Sequence, residues 1–324
     1  MFDNRVVTAL IVVVGVPIVT VAYVALVEWI LERLPYLIRQ RLRPWLWVIP
    51  ALVLMGLYLI YPAVNTSYIS LYGPRSEEFV GVGNYQNLFT NRSTLLAMRN
   101  NLLWLVLLPL FTVGLGLIFA VLFDRVRYEA VAKSIVFVPM AISAVAAGVI
   151  WRLVFDFKPA GQPQTGTLNA IVTLFGGEPV PWLIRSGINN VALILVGVWM
   201  WTGFATVILS AGLKGIPTEI IEAARVDGAT EFQILTRVTI PMMASTIAVV
   251  ATTIVINALK LFDIVYVMTS GNYGTDVIAV RMYKEMFQFR NFGRASAIAV
   301  VLLVAIVPIM IFNIRRFREQ EAIR

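Results

Sequence analysis

Apolar residues in this chain gather into seven long runs, separated by basic, polar or Gly/Pro-rich stretches. A helix crossing the ~30 Å hydrocarbon layer of a bilayer needs about 20 mostly apolar residues. Segments near Val6–Val27, Trp45–Val64, Leu102–Phe123, Ile135–Phe155, Val191–Leu213, Met242–Phe262 and Ala295–Ile314 meet that requirement. The pattern predicts an all-α, polytopic membrane protein of about seven transmembrane helices. The first run is longer than the ~7–15 residues of a signal-peptide core, and no small-residue cleavage site follows it. It is expected to be a retained anchor.

Polar positions set the orientation, because Lys and Arg concentrate in cytoplasmic loops. Arg33, Arg39, Arg41 and Arg43 lie in Glu28–Pro44, Arg125, Arg127 and Lys133 follow the third run, and Arg315, Arg316 and Arg318 mark the tail. Seven spans put all three groups inside. The N-terminus is then outside, the C-terminus cytoplasmic, and Lys214–Pro241 a cytoplasmic loop. Tyr68–Arg99 and Asp156–Asn190, expected outside, are rich in Gly, Pro, Asn and aromatic residues. In the third external stretch, Asp263–Arg294, Thr269–Gly274 is a strong turn signal. Val277–Phe289 reads as a short amphipathic helix at the outer surface or re-entering the bilayer.

Composition narrows the chemistry. Of 324 residues, 59% are hydrophobic and 14% charged, against about 25% charged in soluble domains; mean hydropathy is +0.83. There is no cysteine and no histidine, which excludes disulfides, thiolate nucleophiles, Cys/His metal sites and imidazole acid–base chemistry. No catalytic or metal site is expected. The net charge of +8 is scattered between apolar spans, so nucleic acid is not an expected partner.

The loop Lys214–Pro241 carries the most specific signal. Pro217 suits a first helical position, Gly228 the left-handed residue that stops a helix, and Thr230 with Gln233 a capping box that starts the next one. Two short helices joined by a tight turn are therefore expected, with Pro241 opening the sixth span. Ala223 and Ala224 form a bare patch that a partner can approach closely, ringed by Glu222, Arg225 and Asp227, which fits a helix laid into a partner's groove. The alternative is an amphipathic hairpin on the lipid headgroups, with Ile220, Ile221, Ile234 and Leu235 toward lipid.

The run Glu222, Ala223, Ala224, Asp227, Gly228, Ala229, closed by Ile240 and Pro241, resembles the EAA motif of binding-protein-dependent ABC importer permeases. Phe79, Gly81, Asn84 and Tyr85 resemble an external segment of the maltose and glycerol-phosphate branch. Phe262, Asp263, Tyr266 and Thr269 resemble that branch's segment after the sixth span; Ser270, Gly271 and Asn272 depart from its usual Gly-Gly-Pro. The likeness runs from about Trp45 to the end. It implies a six-helix type I importer core over 45–324, with the loop 214–241 as coupling helix, and an extra N-terminal span and basic cytoplasmic linker over 1–44, as in the larger, maltose-permease-F-like subunit. It further implies a coupling helix seated on an ATPase through Glu222, Ala223, Ala224, Arg225, Asp227, Gly228 and Ala229, with Glu222 pairing a basic residue there. The implied assembly has a second permease, two copies of an ABC ATPase and an external sugar-binding protein in a bacterial inner membrane. The α-glucoside subgroup is the nearest match.

No Gly-Lys pair exists in the chain, so no P-loop can cradle a nucleotide; ATP and Mg are expected on the separate ATPase. An ion-coupled secondary transporter is the rival, but span interiors lack the acidic or His relays such carriers use. A channel finds no filter-like run. Sugars stack on aromatic rings and bond neutral hydroxyls. Trp199, Trp201 and Phe204, with Thr202 between them, stand on the fifth span, where Met200, Trp201 and Phe204 share a face. In the resembling subunit that stretch lines the midplane cavity, and Asn257 and Lys260 add polar groups. The other readings are helix packing or an interfacial belt for the aromatics, interhelical bonding for Asn257, and snorkelling or pairing with Asp263 for Lys260.

Overall fold

The computed structural model describes residues 4–321, with side chains for residues 8, 13–15 and 17–311. Arg315, Arg316 and Arg318 of the basic tail thus have backbone but no described side chains. The chain packs as two units, Met1–Asn65 and Thr66–Arg324.

In the first unit α1 covers Asn4–Glu32 and α2 Tyr36–Met55. Of the stretch expected as a basic linker, only residues 33–35 leave the helical path; Pro35 precedes α2 as its cap residue. Glu28 absorbs much of the positive charge. It accepts two 3.0 Å bonds from Arg43 and one from the Trp47 indole, with Arg39 at 3.7 Å. Arg33 stacks over Trp29 at 3.5 Å. The chain continues through a π-helical turn, Gly56–Ile60, into α3, Tyr61–Ile69.

The second unit is a helical bundle, with no strand among the described residues. Its elements are α4 (Gly83–Thr90), α5 (Arg92–Asp124), α6 (Glu129–Ala141), α7 (Ala144–Val154), α8 (Thr167–Leu174) and α9 (Ile188–Lys214). Then come α10 (Thr218–Val226), α11 (Glu231–Ile234), a π turn Leu235–Thr239, α12 (Ile240–Met242), α13 (Ala244–Leu259) and α14 (Asp263–Thr269). The last are α15 (Ile278–Tyr283), a π turn Lys284–Gln288 and α16 (Phe292–Glu321).

Among the described residues five helices are long and apolar enough to cross a membrane uninterrupted, and seven spans result when two bent pairs each count as one. The fourth expected span breaks by 98° between α6 and α7, while the 71° bend between Glu231–Met242 and α13 falls at the start of the sixth, which Pro241 was expected to open. Proline explains both positions, since it removes a backbone donor and crowds the preceding turn. Pro139 lies in the last turn of α6, Ile142 turns extended, and the Ser143 hydroxyl caps α7 by accepting from Ala146 N. Pro241 precedes the break at Met243.

α9 is the central helix, buried along most of its length. Helices in lipid gain little from the hydrophobic effect and associate by close van der Waals approach over small residues. α9 does this on three sides. A Cβ on Gly203 would sit 2.3 Å from the Val136 carbonyl oxygen of α6, one on Gly212 2.9 Å from Thr246 of α13, and one on Gly116 of α5 2.6 Å from Ala205.

Asparagines organise the segments expected outside. Asn84 donates to the Ser70 and Tyr72 carbonyls at 2.8 and 2.7 Å, while Tyr85 bonds Ser70 Oγ at 2.7 Å. Asn169, fully buried, receives Val180 N and the Trp182 indole and donates to the Asp156 and Val180 carbonyls. α15 packs against α5 and α16, with Val280 fully buried.

Candidate functional site

The loop Lys214–Pro241 folds as the hairpin that its capping residues dictate. α10 begins at Thr218, one residue later than expected, with Pro217 as its cap residue. Glu219 in the first turn and Arg225 in the last complement the helix dipole. Gly228, at φ 81, ends it: Ala229 N returns to the Ala224 carbonyl and Gly228 N to that of Arg225, both at 3.0 Å, a six-to-one closure of the Schellman kind. Both halves of the Thr230–Gln233 capping box form. Glu222, Ala223, Arg225, Asp227 and Gly228 are exposed, Ala224 and Ala229 half-buried, and the apolar Val226 and Phe232 are 88% and 74% exposed.

Three of the four apolar residues that a headgroup-bound hairpin needs toward lipid turn inward instead. Ile234 is buried, and it lines, with Ile221 and Leu235, a cavity of about 380 Å³ against Val121 of α5 and Leu213 of α9. Only Ile220 stays exposed, at 40%.

Ion pairs brace the hairpin where sequence reading did not look. Glu231 accepts from Arg225 at 2.9 Å and from Arg125, in the α5–α6 turn, at 2.7 Å. Glu129 pairs with Lys133 on its own helix and with Lys214 at the end of α9, 2.8 Å away; Lys133 also reaches the buried Ser210 hydroxyl. Only Glu129 and Lys133, four residues apart on a helix, were findable from spacing. The others meet through tertiary approach.

In the bundle, Met200 is buried, while Trp201 and Phe204 are half-buried and meet edge to face at 5.9 Å. Trp199 turns the other way and packs on Trp151 of α7 at 5.5 Å. Asn257 donates to the Thr253 carbonyl of its own helix at 2.9 Å. Lys260 is exposed and, among the described residues, in no ion pair, so the pairing with Asp263 does not form; it borders an apolar groove with Phe262, Met282, Tyr283 and Phe287. Trp201 and Phe204 are brought together; no ring contact or hydrogen bond among the described residues joins them to Asn257 or Lys260.

The turn after α14, where Ser270, Gly271 and Asn272 depart from the family pattern, closes through left-handed residues: Ser270 (φ 53), Gly271 (φ 68), Tyr273 (φ 57) and Gly274 (φ 78). Thr269 bonds Thr275 at 2.7 Å across it. Nearby, Thr165 donates to Asp156, and this bond, with Lys158 beyond, holds the Asp156 carboxyl below the usual carboxylate range against its partial desolvation.

The broken spans, the small-residue packing around α9 and the projecting hairpin describe a polytopic helical membrane protein. The family model for the inner membrane component of binding-protein-dependent transport systems matches residues 112–317, and the chain belongs to that family. It is 58% identical over 279 residues to the osmoprotective compounds uptake permease protein GgtC of Synechocystis, covering 86% of this chain and 100% of that protein. Over 285 residues it is 46% identical to the alpha-glucoside transport system permease protein AglF of Rhizobium meliloti, covering 88% and 85%. A chain of the bacterial ABC transporter that imports the polysaccharide alginate shares the fold, with TM-score 0.74 and 24% identity over 88% of this chain and 99% of that one. Nothing in these likenesses supports an ion-coupled carrier.

Proposed function

We propose that this chain is one of two permease subunits of a bacterial ATP-driven importer that carries an α-glucoside from an external binding protein into the cytoplasm. The observation that carries the reading is the hairpin: tied to the bundle by ion pairs and exposed at Glu222, Ala223 and Arg225–Gly228. Exposed Val226 and Phe232 beside Glu222 and Ala223 give a separate ATPase an apolar seat rimmed with charge. ATP and Mg belong to that ATPase, present in two copies, and this chain performs no hydrolysis. Closure of the ATPase pair displaces the hairpin as a rigid body, and the α5, α6 and α9 ends tied to it pass the movement into the spans. The N-terminus lies outside and the hairpin and C-terminus in the cytoplasm, as the loop arginines and lysines require. Residues 1–44 add an anchor to a six-span core over 45–324.

The sugar class rests on the likeness to AglF, an alpha-glucoside transport system permease protein, and on an aromatic pair that presents two half-buried rings beside buried Met200. Trp201 and Phe204 line the sugar path, with Asn257 and Lys260 supplying polar groups. Trp201→Ala is expected to lower uptake of radiolabelled maltose, sucrose or trehalose about tenfold, the loss of one stacking partner, while the variant still isolates with its partner subunits. Wild-type uptake kinetics would remove Trp201 from the path.

A further inference from the structure

Tyr273 occupies a backbone conformation, φ 57, that bulky residues avoid and glycine adopts freely. It is held there. Asn189 donates to the Tyr273 carbonyl at 2.7 Å, and Asn100 and Asn190 donate to the next carbonyl, that of Gly274, at 2.8 and 3.4 Å. All three asparagines are at most 9% exposed and belong to α5 and α9. Yet the ring itself is 55% exposed. A residue needed only to turn the chain would be glycine; strain maintained by buried partners marks a side chain kept for what it meets.

The ring borders a cavity of about 190 Å³ that it shares with Arg152, Asp156, Phe157 and Ile184. Asp156 is firmly placed: Thr165 bonds its carboxylate, Asn169 its carbonyl at 2.9 Å, and Gly166 packs so tightly on its backbone that a Cβ would lie 2.2 Å from the Asp156 oxygen. Arg152, in the last turn of α7, is in no ion pair among the described residues. The cavity thus offers two aromatic faces, a donor fork in Arg152 and an acceptor in Asp156, which Lys158 also approaches at 3.9 Å. Its volume lies below the ~300–1,000 Å³ of drug-sized sites, room for a single ring. Aromatic faces flanked by a fixed donor and a fixed acceptor suit the apolar face and the hydroxyls of one sugar ring.

We infer that Tyr273, Phe157, Arg152 and Asp156 form a subsite for one sugar ring at the outer end of the bundle, which receives the substrate before it enters the spans; this rests on the sugar reading above. The test uses proteoliposomes holding the complete transporter, driven by purified binding protein loaded with maltose, sucrose or trehalose. Tyr273→Gly fits the backbone without strain, so it folds. It is expected to cut the maximal rate by about three- to tenfold and to change the preference among the three sugars, while Tyr273→Phe stays within about twofold of wild type. The loaded binding protein's half-saturating concentration stays unchanged in both. Wild-type rates in Tyr273→Gly would make the residue a turn element and overturn the subsite. So would a shifted half-saturating concentration at unchanged rate and preference, which marks a contact with the binding protein. If the wild-type transporter carries none of the three sugars, the α-glucoside reading itself fails and the subsite falls with it.

Discussion

At Gly203 one missing methyl group sets the spacing of two helices. The Cβ that any other residue carries would lie 2.3 Å from Val136 O and 2.6 Å from the Phe137 Cα, and both obstacles are backbone. Gly203→Val therefore forces α6 from α9, an overpacking that costs about 1–3 kcal/mol or more. Thermal unfolding of the purified permease complex should shift downward by several degrees; an unshifted transition would mean the helices do not meet at this point. Other single residues were legible from sequence because their physics is local. Gly228 and the Thr230–Gln233 box act within six residues, and each takes the expected conformation. Lys260 was not legible: whether it pairs with Asp263 depends on where the chain turns after α13, and it does not. Nor was Tyr273 singled out, although its place in a Gly/Asn-rich turn was the available signal.

At the scale of elements, length and apolarity located the spans, and Pro241 the bend that opens the sixth, but not the break within the fourth. Proline marks where a helix can fail; the angle is set by the neighbours it packs on, and α9 and α14 supply those from distant sequence. The hairpin over 214–241 was legible as two helices and a turn. Its attachment was not, because Glu231 reaches Arg125 across 106 residues. That brace makes its own prediction. Both pairs of Glu231 are about half exposed, so water screens them and each contributes little to stability. Glu231→Gln should leave the melting temperature nearly unchanged yet let the hairpin tilt. The sugar carried per ATP hydrolysed should fall, with hydrolysis retained. An unchanged transport-to-hydrolysis ratio would show that the brace transmits nothing.

For the whole molecule, the family and the fold followed from a motif whose spacing spans the hairpin, and the chain's relatives agree with that assignment. What the sequence could not supply was the arrangement of substrate groups. Met200, Trp201 and Phe204 stand on α9 and Asn257 and Lys260 at the end of α13, and no ring contact or hydrogen bond among the described residues joins the two sets. The central claim is that a separate ATPase grips the hairpin. The chain contains no cysteine, so Ala223→Cys introduces its sole thiol, at an exposed position. In membranes holding the complete transporter, with single cysteines placed along the ATPase cleft, oxidative cross-linking measures the contact. The account predicts a disulfide between Cys-substituted position 223 and the ATPase that forms in high yield and blocks transport until reduced. A position 223 thiol that never cross-links to the ATPase, while transport proceeds normally, would contradict it.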